Sequence, residues 1–180
     1  MLKEFRKKKA PEFSFLSFDP FHLLNRIRID FPKTESKLIY VYVQSQPTLA
    51  SVRNNDQSAV IQVHSVLNHP HTPKEVMVFI FRHELLHLEI LPRVVEGKNT
   101  SHPPEFWDAE HALCPERTIA WIWLKWVLSD CLKLDQKREC AYVKSNWKRL
   151  MPIDRPTLEQ VAEMVSLINT TGKEEEELIL

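Results

Sequence analysis

No two of the three cysteines, Cys114, Cys131 and Cys140, stand in a C-x-x-C pair, and their odd number argues against a disulfide framework or a cysteine-rich zinc ribbon. A reducing, cytoplasmic setting is the natural expectation. Excess charge is lacking too: 24 basic residues balance 24 acidic ones, so no general electrostatic reason points to a nucleic-acid or membrane partner. The longest apolar run, "IAWIWLKWVL" at 119–128, is broken by Lys125 and covers only half the ~20 residues of a bilayer span. It reads as a buried helix whose tryptophans pack in the core. The basic start "MLKEFRKKKAPEFSFL" is followed by no apolar segment of signal-peptide length. Glycine is almost missing, with only Gly97 and Gly172, and neither a repeat nor a linker divides the chain.

What remains is one α+β domain of ordinary size over residues 16–170, between a basic tail at 1–15 and an acidic one at 171–180. Asp19 and Pro20 start a helix that Pro32 stops. "KLIYVYVQ" reads as a strand, and "TLASVR" with "QSAVIQVHS" as a hairpin around "NND". A helix of about 19 residues follows, opened by a capping box from Thr72 to Glu75 with Pro73 at its first position, and closed by Pro92. A loop containing Gly97 leads to a helix at Pro103 and Pro104, and Pro115 separates it from the tryptophan-rich helix. "CLKLDQKRECAYVKSNWKRLMP" reads as partly helical, and a second capping box, Thr157 to Gln160, opens the last helix. The fold so assembled is a small antiparallel or mixed sheet packed on the 73–91 helix, with further helices after it.

That helix carries "HELLH" at 83–87. On 3.6 residues per turn, His83 and His87 lie about 40° apart around the axis and one turn apart along it. Their Cβ atoms are then about 5–6 Å apart, which lets two imidazoles share one ion at bonds of about 2.0–2.1 Å. Glu84, about 100° round from His83, is placed to address a water on that ion. Val78, Phe81, Leu85 and Leu88 occupy the opposite face and belong to the core, while Val76 and Ile80 wall the histidine side. Catalytic zinc takes three protein ligands and a water. Fifteen residues after His87 comes His102, the first candidate for the third ligand, with Glu105, Glu110 and His111 as rivals.

"HELLH" followed by "SHPPEFW" resembles the YgjP-like and SprT-like branch of the gluzincin zinc metallopeptidases, in which H-E-L-x-H precedes a histidine with phenylalanine and tryptophan four and five positions on. Phe106 and Trp107 stand at those positions relative to His102, and the likeness spans residues 58–110. The resemblance implies an α+β metallopeptidase core with one zinc ion on His83, His87 and His102 and Glu84 as catalytic acid and base. The stretch between His87 and His102 is longer than in the compact YgjP-like form, and the four-cysteine ribbon of some SprT-like proteins is missing, which removes support for a nucleic-acid partner.

The expected function is hydrolysis of peptide or protein substrates by a zinc-activated water, with His64, Arg93, His111 and Tyr142 as candidates to hold the developing oxyanion. The 58–66 strand, if it lies at a sheet edge, pairs with an extended substrate. The competing expectations are a zinc-binding interaction module without turnover and a metal-free helical adaptor built on the tryptophan-rich helix. His69 and His71 read as a polar loop before a capped helix.

Overall fold

The structure, a computed structural model, describes residues 15–135 and 140–166. The two expected tails therefore lie outside the described residues, Phe15 excepted. Helix α1, Pro20–Ile27, starts where expected: the Asp19 carboxylate accepts from the backbone N–H groups of Phe21 and His22 at 2.8 and 3.2 Å, and Pro20 opens the first turn. Leu23, Leu24 and Ile27 bury its inner face. Pro32 does not simply stop the chain's winding. It opens a second short 3-10 turn, Pro32–Thr34, after Arg28–Asp30. The Arg28 guanidinium holds both turns by donating to the carbonyls of Thr34, Glu35 and Lys37.

Strands β1 (Leu38–Gln44), β2 (Ala50–Asn54) and β3 (Ser58–His64) form one mixed sheet in the order β1-β3-β2. The 50–64 hairpin forms as the sequence suggests, its turn pinned by Asn55, whose Oδ1 accepts from the N–H groups of Gln57 and Ser58. The expectation of 58–66 as a possible edge strand is corrected here. β3 is central, parallel to β1 and antiparallel to β2, with Ala59, Ile61 and Val63 fully buried. The most deeply apolar strand takes the middle, because only there are its backbone groups paired on both sides. The outer strands are β1 and β2.

Helix α2, Lys74–Glu89, packs against α1 and β2 and against the two helices that follow it. Val78, Phe81, Leu85 and Leu88 are buried as the helical spacing requires. Its start departs from the capping box: Pro73 is the cap, and the buried Thr72 hydroxyl instead accepts from Arg155 at 3.3 Å. It ends at Glu89, before Pro92. The expected loop after it contains a small hairpin, β4 (Arg93–Val95) and β5 (Lys98–Thr100). Glu96 and Gly97 join these strands with φ of +50° and +77°, the two-residue turn geometry that follows strand twist and favours glycine.

Helix α3, Pro104–Leu113, starts at the expected prolines, and α4, Arg117–Val127, is the tryptophan-rich helix. Only part of α4 is core. Trp123 is fully buried and donates to the Pro156 carbonyl at 2.8 Å, whereas Trp121 is half-buried and Trp126 is 46% exposed. The segment expected to be partly helical is mostly a hairpin, β6 (Leu132–Asp135) with β7 (Cys140–Val143), before the single turn α5, Trp147–Leu150. In β6 leucines alternate with charged residues, a period of two too short to stand out from a helical pattern. A final helix, 158–166 within the described residues, opens on the predicted reciprocal bonds between Thr157 and Gln160, at 2.8 and 3.2 Å. The buried residues form one cluster from Leu23 to Val161. No helix among the described residues is long and apolar enough to cross a membrane.

Candidate metal centre

α2 and the entry to α3 build the site together. His83 and His87 project from successive turns of α2, and the β4–β5 hairpin returns the chain so that His102 meets them from the extended segment before α3. Pro103, with φ −67° and ψ 165°, keeps that segment out of the helix. The His102 Nε2 atom lies 3.2 Å from His83 Nε2 and 3.2 Å from His87 Nε2. Three nitrogens bound tetrahedrally at about 2.0–2.1 Å stand about 3.3 Å from one another, so the spacing fits a single ion. These three histidines could hold a metal ion, and the donor set of neutral imidazoles suits a borderline divalent cation.

The surroundings favour that use. Glu110, on the second turn of α3 and 1% exposed, takes the His83 Nδ1–H on one oxygen at 2.6 Å and the Arg117 Nε–H on the other, also at 2.6 Å. An ionised carboxylate can only accept, so the proton sits on Nδ1 and the Nε2 lone pair of His83 faces the cluster. Burial alone would raise the Glu110 carboxyl, but His83 and Arg117 outweigh it and hold it below the usual range. Burial likewise works against charge on His83, yet the carboxylates of Glu110 and Glu84 prevail and raise it. A positive charge at His83 Nε2, proton or metal, is therefore what this environment stabilises. Burial, helped by the neighbouring imidazoles, lowers His87 to about 3 and His102 to about 4. Both keep their lone pairs at neutral pH. Phe106, fully buried, wedges its ring among all three, with centroids 5.1, 4.7 and 4.6 Å from those of His83, His87 and His102.

Glu84 is 4% exposed, and burial pushes its carboxyl up to about 7 although His83 pulls it down. Its Oε2 has no hydrogen-bond partner among the described residues. The carboxyl and the three histidines line one side of an open cavity of about 450 Å³. Phe79, Ile80, Leu91 and Trp121 give it apolar walls, and Thr48 and most of β2 line it as well.

The rival third ligands lie elsewhere. Glu105 pairs with Arg93 at 2.6 Å near the surface, His111 is exposed with Nδ1 2.7 Å from the Trp107 carbonyl, and Glu110 stands behind His83. None of the oxyanion candidates His64, Arg93, His111 or Tyr142 lines the cavity. His64 is buried, its Nδ1 accepting from the Val66 N–H at 2.9 Å. Of the expected wall residues Ile80 is in place, while Val76 is buried away from the cavity and Phe79 takes the position beside Ile80. Sequence reasoning weighed Glu110 only as a ligand and missed Arg117; the one available signal was their seven-residue spacing, which crosses a helix break at Pro115 and so carries no periodicity. The chain matches no protein-family model, no curated protein and no solved structure, so the case for a function rests on the geometry of the three imidazoles and Glu84.

Proposed function

We propose that this protein is a zinc-dependent metallopeptidase that hydrolyses peptide bonds, with a minimal gluzincin-like core. One observation carries the reading: three imidazole nitrogens converge beside the buried Glu84 carboxyl, one oxygen of which is unpartnered among the described residues, and all four residues line the same open cavity. The resemblance of "HELLH" and "SHPPEFW" to the YgjP-like and SprT-like metallopeptidases supports it. Zinc bound to the three histidines would acidify a water and polarise a substrate carbonyl.

The chain's own residues do the rest. His83, His87 and His102 hold the ion, and Glu110, gripped by Arg117, fixes the ring of His83. Glu84 accepts the proton of the attacking water and passes it to the leaving amine; a carboxyl brought near neutrality by burial is suited to both transfers. Phe79 and Ile80 keep that corner apolar, which strengthens every charge interaction within it. β2 is an outer strand that lines the cavity, so an extended peptide would pair with its outer edge.

A purely structural zinc site closes its fourth position with a protein ligand. Among the described residues the cluster has three ligands and opens on a cavity, which favours turnover over an interaction module. Elemental analysis combined with a peptide-library digest tests this. Dialysis against a chelator should abolish cleavage and added zinc restore it. A zinc-loaded protein that cleaves no peptide in the library would refute the reading.

A further inference from the structure

The edge of β2 is not free along its whole length. Ahead of it the Val143 N–H donates to the Pro47 carbonyl at 2.7 Å, and Thr48 forms an antiparallel bridge with Tyr142. The β6–β7 hairpin thus caps the start of the edge, and its Ala141 forms part of the cavity wall there. A peptide antiparallel to β2 runs its C-terminal part toward Ala50, the capped end. It must leave the sheet edge at that point.

A second cavity, of about 640 Å³, lies next to the first, and His83 and Trp121 border both. Trp107, Trp121 and Ile122 give it apolar sides. Its charges are unequally engaged. Glu110 is committed to His83 and Arg117, and Asp135 has a partner of its own. The Lys125 ammonium makes no ion pair among the described residues and stands 5.8 Å from the Trp121 ring centroid, where the ring face favours its charge without neutralising it.

We propose that this second cavity is a substrate subsite for a carboxylate, held by Lys125 above Trp121. The carboxylate is either the C-terminus of the peptide or an acidic side chain near it. The class of substrate rests on the metallopeptidase reading; the binding preference can be measured apart from it.

Three probes separate the possibilities: N-acetyl-Ala-Ala-Phe as the free acid, the same peptide as its C-terminal amide, and N-acetyl-Ala-Ala-Glu amide. Binding is measured on the full-length zinc-loaded Glu84→Gln protein, which should hold peptides without consuming them, using tryptophan fluorescence because Trp107 and Trp121 line the cavity. At least one carboxylate peptide should bind about fivefold or more tightly than the neutral amide. Preference for the free acid identifies the C-terminus, and preference for the glutamate amide identifies the side chain. Lys125→Met should erase the preference and Lys125→Arg should keep it. Equal binding of the three, or binding of none, overturns the proposal. So does a preference that survives Lys125→Met, since the carboxylate then sits on the metal. A parent protein that shows the Lys125-dependent preference yet cleaves nothing leaves the subsite standing and removes the peptidase reading.

Discussion

Two parts of the chain bring histidines close together, and among the described residues one of them forms a cluster that could hold a metal ion. His69 and His71 stand two apart in the exposed loop before α2, their ring centroids 5.3 Å apart, and His69 Nδ1 accepts from the His71 N–H at 3.2 Å. That lone pair is already used, no third ligand joins it among the described residues, and the His71 ring is exposed. His83, His87 and His102 are held by two different elements, wedged by Phe106, and backed by a buried carboxylate. Proximity alone does not make a metal site. Ligands must be fixed, neutral and aimed, and that takes a scaffold behind them.

The largest effect that could break this contrast is on metal binding. His102→Ala should weaken zinc affinity on the order of a hundredfold or more, since each ligand carries a large share of the binding energy of such sites. Competition against a chromophoric chelator reads it; unchanged affinity would mean that the third ligand lies elsewhere.

His64 gives a third case, a buried histidine outside the three-histidine cluster. Burial lowers it from 6.5 to about 4, so between those pH values the unfolded chain gains a proton that the folded one does not. Its contribution to stability is therefore complete above pH 6.5 and lost as pH falls toward 4, amounting to roughly 3 kcal/mol at most. Urea unfolding across that range should show the loss, and His64→Asn should remove this part of it. A pH-independent midpoint would contradict the burial argument.

Glu110→Gln comes next, with an expected loss of about 10- to 100-fold in zinc affinity while the fold persists. Retained affinity would leave Glu110 as a mere structural bridge to Arg117. At the small end, His69→Ala and His71→Ala should leave zinc content unchanged, and a drop in either would erase the contrast.

Much of this site was legible because it is local. The i, i+4 spacing of His83 and His87 fixes their common direction as soon as α2 is recognised, and Leu85 and Leu88 fix which way that face points. The prolines at 103 and 104 marked the start of α3, and Asp19 and the Thr157–Gln160 pair marked two helix starts where they occur. What escaped depends on distant partners. Thr72 looked like a cap but is claimed by Arg155, 83 residues away. β3 carried the alternation of a half-buried strand, and nothing local says that β1 and β2 flank it. β4, β5 and β6 are three or four residues long, below the length at which alternation can be told from chance. Arg117 and Glu110 meet across a helix boundary, where no sequence period applies.

In the proposed reaction Glu84 moves the proton while the three histidines hold the ion. This is tested most directly by measuring zinc content and peptide cleavage side by side for the parent and Glu84→Gln. Equal zinc in both proteins and at least a hundredfold loss of cleavage in the variant are expected, in keeping with a general acid–base contribution of about 10²–10⁴. Equal cleavage by the two proteins would contradict it.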